Sequence, residues 1–83
     1  MNIVKIKENC EEYLNGSRST NQPKIITAII EELLYVVNVG NGFCNSVSMS
    51  KFSIRIQNIL VIIDKNRYEF EYYLLKNILT WVN

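Results

Sequence analysis

The stretch PKIITAIIEELLYVVN, residues 23–38, decides the fold. Its polar positions Lys24, Thr27, Glu31 and Asn38 share one narrow helix face, with Glu32 beside them. Ile25, Ile26, Ile29, Ile30, Leu33, Leu34, Val36 and Val37 cover most of the remainder. Pro23 suits the first helical position, where a backbone N–H is not needed. Asn21 or Gln22 would then cap the helix, asparagine being the better acceptor. A helix this apolar is usually buried on more than one side, so it is expected to be the central one.

Upstream, Ile3, Ile6, Cys10, Tyr13 and Leu14 recur at steps of three and four over residues 3–15, the stripe of an amphipathic helix. Lys5, Lys7, Glu8, Glu11 and Glu12 fall mainly on the other side. Asn15-Gly16 is a stop signal, because glycine enters the left-handed conformation without penalty. Acidic residues near that end oppose the helix dipole and predict a fraying last turn. Residues 17–22 read as a polar linker.

Downstream, residues 38–48 form the clearest loop, with two glycines and three asparagines, pinned by Phe43 and Val47. Gly40-Asn41-Gly42 lacks the lysine and hydroxyl residue of a phosphate loop, so a plain connection is expected. A third helix is expected to begin near Ser48 or Ser50, with Phe52, Ile56, Ile59, Leu60 and Ile63 as its stripe. Phe52, Ile54 and Ile56 also alternate with polar residues as in a strand. The run to Asp64 is long for a strand, and no second strand is evident, which favours helix. Asp64-Lys65-Asn66 reads as a turn, and Asn66 with Glu69 approximates a capping box. The last helix is expected over residues 67–82, with Phe70, Leu74, Ile78 and Trp81 on its stripe, Leu75 and Val82 alongside, and Tyr68, Tyr72 and Tyr73 bordering it. The fold class expected is all-α: one domain over residues 1–83, a small three- to four-helix bundle.

The 83 residues are 48% hydrophobic and 20% charged, and twelve are isoleucine. A chain of this size buries only about 60–65% of its unfolded surface. A surplus of apolar surface therefore predicts association, and a homodimer is the simplest solution. Nine basic and eight acidic residues are interspersed. No basic stripe exists to track a phosphate backbone, so nucleic acid is not an expected partner. The N-terminus turns charged too early for a signal peptide, and the longest apolar run, residues 59–63, is far short of a bilayer span. Two cysteines, Cys10 and Cys44, are expected to be reduced, which fits a cytoplasmic protein.

No histidine is present, which removes the commonest general base and metal ligand. The two cysteines have no zinc spacing. The pairs Glu11-Glu12 and Glu31-Glu32 point about 100° apart on a helix and form no dyad. Glu69 and Glu71, flanking Phe70, read as a solvated face. Neither catalysis, a cofactor nor a metal is expected. The distinctive cluster is aromatic: Tyr68, Phe70, Tyr72, Tyr73 and Trp81. Phe70 and Trp81 suit the core, while tyrosine and tryptophan are enriched where proteins meet. Tyr68, Tyr72, Tyr73 and Trp81 are thus the candidate partner-binding residues.

The organisation is a helix ending in Tyr13-Leu14, a polar break, a long apolar helix, an asparagine-containing loop, and two closing helices with Asp64 near their junction. Over roughly residues 10–82 it resembles the YmgB/AriR family of small enterobacterial regulators of biofilm and acid stress. Asp64 stands where that family usually has glutamate. The resemblance implies a dimeric helical adaptor acting on a phosphorelay, with DNA association that the charge balance here argues against. The expected function is a non-enzymatic helical protein–protein interaction module: a regulator, adaptor or inhibitor. The alternatives are an immunity- or antitoxin-like protein that blocks a toxin, or a small secretion chaperone.

Overall fold

The apolar run that begins at Ile25 is helical, and three further helices surround the core it shares. The structure is a computed structural model, and it describes residues 2–16, 22–39 and 46–82. The helices are α1 (Ile3–Leu14), α2 (Lys24–Val39), α3 (Ser46–Ile62) and α4 (Glu69–Val82). No strand occurs among the described residues. The fold is therefore an all-α small bundle. Its radius of gyration of 12.0 Å is about that of a packed chain of this length. No helix among the described residues is long and apolar enough to cross a membrane. The roles expected of Asn21, Phe43, Cys44 and the side chains of Val47 and Ser48 lie outside the described part.

Local signals set most of the helix ends. The Asn2 side chain accepts from the Lys5 N–H at 3.2 Å and caps α1. Gly16 closes α1 with φ 71°, as the glycine stop predicts. The Tyr13 carbonyl accepts from the Gly16 N–H at 2.9 Å and also from the Gln22 side chain. The end of α1 is thereby tied to the approach to α2. Pro23 sits one position earlier than expected. Its carbonyl accepts from Ile26 and Thr27 at 3.1 and 3.0 Å, so it occupies the cap position rather than the first turn. α3 begins at Ser46, earlier than either serine expected to cap it, and is helix throughout the segment that also alternates like a strand.

The turn between α3 and α4 is built by Asp64, not by the expected pairing of Asn66 with Glu69. One Asp64 carboxylate oxygen accepts from the N–H groups of Asn66 and Arg67 at 3.0 and 3.3 Å. Its carbonyl accepts from Tyr68 at 2.9 Å. An aspartate side chain captures backbone donors two and three residues on, which outcompetes the weaker reciprocal box. Consequently α4 starts at Glu69, two residues later than expected. Asp64→Ala is expected to cost about 1 kcal/mol, as loss of a cap does, and Asp64→Asn much less. Urea midpoints of the two variants check this.

α1 packs on both α2 and α4, and α4 packs on α3. α2 also meets α3 through the Glu32–Arg55 ion pair. The expectation that α2 is buried on more than one side is corrected. α2 buries one face, through Ile26, Ile29, Ile30, Leu33 and Val37. Its outward side leaves Ile25, Tyr35 and Val39 exposed, because no further helix is available to cover them. On α4 the buried face is Glu71, Leu74, Leu75, Ile78 and Val82. Phe70 and Trp81 pack against the core only partly buried.

Glu71 is the second correction. It is 3% exposed, not part of a solvated face. Its carboxylate and the Thr27 hydroxyl lie beside Tyr13, whose own hydroxyl is buried without a regular hydrogen bond. Burial first, and then the Glu71 charge, push the Tyr13 hydroxyl above its ordinary titration range. None of the four helices has a basic residue in its last turn, and only α4 has acidic residues in its first.

Candidate functional site

The first two turns of α4 and the turn before it bring three of the four candidate residues together. Tyr72 and Tyr73 stand edge to face, 5.4 Å between centroids at 89°. Adjacent helical residues diverge by about 100°, so the two rings line neighbouring sides of the same helix. Lys65, projecting from the turn, lies over both rings at 5.2 and 5.5 Å. Lys76, one helical turn beyond Tyr72, lies over that ring at 5.5 Å. Tyr68 is covered by Arg67 at 5.3 Å. At exposed sites each such contact contributes about 0.5–1 kcal/mol. Together they hold the rings in place and cluster three cations around them.

Trp81 does not join this group. It lies near the far end of α4, where its carbonyl accepts from the Asn2 N–H at 2.8 Å and Lys5 covers its ring at 5.9 Å. Nine residues separate it from Tyr72, about 13 Å along a helix. Its side chain helps to close α1 onto α4.

Beside the tyrosines, the seam between α1 and α4 opens into a cleft of about 130 Å³. Tyr13, Phe70 and Leu74 give it an apolar lining, with the Tyr13 and Phe70 rings stacked 6.2 Å apart. Asn9, Glu12 and Asn77 supply polar groups, and Tyr73 belongs to both the cleft and the tyrosine surface. The Asn9 carboxamide is held by donation to the Lys5 carbonyl at 2.8 Å. The volume is similar to that of the benzene-sized cavities, about 150 Å³, known in protein cores. It suits a single apolar side chain of a partner, with amide and carboxylate groups beside it to meet that partner's polar atoms.

The electrostatics differ from what the order of residues suggests. Reading Glu69 and Glu71 as neighbours of the aromatics makes the segment look acidic. The helix turns Glu71 inward, leaving Lys65, Arg67 and Lys76 around the rings, with Asp64 and Glu69 as the acidic residues nearby. Lys76 could have been linked to Tyr72 from the four-residue step. The cleft could not have been found from the chain order, because Asn9 and Glu12 come from α1.

The one described cysteine is not poised as a nucleophile. The buried Cys10 thiol is pushed up to about 12, by burial and then by the Glu11 charge. It stays protonated and out of reach at neutral pH. Among the described residues no cluster of acidic or cysteine side chains is suited to hold a metal ion. No family model matches the chain, and no curated protein or solved structure matches it significantly.

Proposed function

We propose that the chain is a non-enzymatic helical protein–protein interaction module of the cytoplasm, serving as a regulator, adaptor or inhibitor and self-associating as a homodimer. One observation carries the reading. After the core is complete, Ile25, Tyr35, Val39, Ile54, Val61 and Ile62 on α2 and α3 still present more than half of their surface to water. Scattered exposed apolar residues are ordinary, but this many large ones on two helices of a small bundle mark surfaces that another polypeptide covers. The cleft at Tyr73 is the second surface, suited to a partner other than the chain itself. The resemblance to YmgB/AriR favours a regulator. An immunity- or antitoxin-like inhibitor differs in forming one tight complex with a single target.

The test is parallel affinity capture from native-host extract with the wild-type chain, Tyr73→Ala and Tyr72→Ala, each checked for helicity by circular dichroism. A protein retained by the wild type and reduced at least about tenfold by Tyr73→Ala supports the cleft as its site. Equal capture by all three moves the partner to another surface. Retention of no protein by any of them removes the proposal of a separate partner.

A further inference from the structure

The tyrosine surface at the start of α4 holds charge that no described residue neutralises. Lys65 lies 5.2 Å from the Tyr72 ring and 5.5 Å from that of Tyr73, and Lys76 lies 5.5 Å from the Tyr72 ring. Two ammonium groups thus share one ring. Arg67 covers Tyr68 at 5.3 Å. All three cations are exposed, and among the described residues none of them is ion-paired. The acids of the same stretch do not answer them. Asp64 is engaged by the Asn66 and Arg67 N–H groups, and Glu71 is turned into the core. Glu69 lies about two helical turns from Lys76. Like charges held close together repel, and an anion placed between them removes the repulsion. Held over rings, the cations have also lost part of the freedom that long side chains give up on binding.

We infer that this face receives an acidic segment of a partner protein, one apolar side chain entering the cleft at Tyr73 while neighbouring carboxylates pair with Lys65 and Lys76. The inference rests on the reading of the chain as a binding module and names the chemistry of what it binds. Tyr73 joins the two halves of the site, because its ring lines the cleft and carries Lys65. Asn77, next to Lys76 in the chain, lines the cleft as well. The acids of the segment therefore belong within a few residues of its apolar anchor. The Asn9 and Asn77 carboxamides offer donors and acceptors to the backbone on either side of that anchor. A nucleic acid fits less well. It would stack its bases on the rings, and each of the three tyrosines already carries a cation at 5.5 Å or less.

The test is an amide NMR titration of the full chain with the peptide acetyl-Glu-Glu-Phe-Glu-Glu-amide. Two companion peptides carry Gln for every Glu, or Ala for Phe, and oligothymidylate is the fourth titrant. The acidic phenylalanine peptide should shift the amides of Lys65, Tyr73 and Asn77, and each companion should bind at least about tenfold more weakly. Raising the salt from about 0.1 M to about 1 M should weaken it by a similar factor through screening. Lys65→Glu and Lys76→Glu should each weaken binding at least about tenfold, with circular dichroism as the check on folding. Lys24→Glu on α2 changes the net charge as much and should leave binding unchanged. Equal loss in Lys24→Glu overturns the site, since the attraction is then to the charge of the whole chain. A glutamine peptide that binds as tightly overturns the acidic segment and leaves the cleft as a site for an apolar side chain. An alanine peptide that binds as tightly overturns the anchor. Tighter binding of oligothymidylate at the same amides overturns the choice of a protein. If no peptide shifts the spectrum, the acidic segment is overturned, while the reading of the chain as a module stands or falls on affinity capture.

Discussion

Leu33→Ala is expected to remove about 2–5 kcal/mol of folding free energy, the range for emptying a fully buried leucine site. Leu33 is 0% exposed and sits on the inward face of α2 within the single core cluster. A chain of 83 residues has a total stability of roughly 4–12 kcal/mol. The substitution therefore takes about a sixth or more of what holds the bundle together, and a loss of about 5 kcal/mol from a stability of about 4 kcal/mol unfolds the protein. Tyr35→Ala, two residues along the same helix, is the matched contrast. Tyr35 is 66% exposed, and in the isolated chain the change should be worth no more than about 0.5 kcal/mol. Urea titrations at low protein concentration measure both. Similar midpoints for the two variants would contradict the division of α2 into an inward and an outward face.

Raising the pH from 9 to 11 is expected to weaken the fold by roughly 2–3 kcal/mol through Cys10 alone. In the unfolded chain the thiol ionises near its ordinary value of 9.0, whereas in the folded chain burial holds it up to about 12. Below pH 9 both states keep the proton and the thiol makes no difference. Between 9 and 12 the unfolded state releases it and the folded state does not, so each unit of pH favours unfolding by about 1.4 kcal/mol. Tyr13 acts in the same direction above 10, since its hydroxyl is also held protonated in the fold. Denaturation midpoints under reducing conditions at pH 8, 9, 10 and 11 test the slope. Cys10→Ala should start from a lower stability but flatten the decline between 9 and 10. A wild-type midpoint that stays level from 9 to 11 would mean the thiol is reached by water in the native state.

Much of this architecture is written in short-range patterns. The steps of three and four through Ile6, Cys10 and Tyr13 suffice for α1, and Gly16 ends it, because periodicity and glycine's backbone freedom act locally. The choice of helix over strand for α3 also follows from length and the lack of a pairing partner. Glu71 was misjudged because two glutamates on either side of Phe70 look solvated in one dimension. Yet residues 71, 74, 75, 78 and 82 share one helical face, and the face is decided by its apolar majority. Phe70 and Trp81, read as stripe residues, sit at its margins for the same reason. The candidate site was legible where it is local: Tyr68, Tyr72 and Tyr73 gather within one stretch of chain. Trp81 fell away because helical rise separates it from them. The cleft needed the contact of α1 with α4, which is not encoded in the spacing of one segment.

The ends of the helices carry one more lesson. With no cation at any C-terminal turn and acids at the start of α4 only, the segments gain little from their own dipoles. α1 has 12 residues, at the lower limit of what persists alone in water. A synthetic peptide of that segment would be mostly coil, and its shape in the protein is lent to it by its neighbours. Such a molecule has no stable half to keep. Cleavage in any one segment should dissolve the others with it, so that a protease sees either the whole or strands of debris.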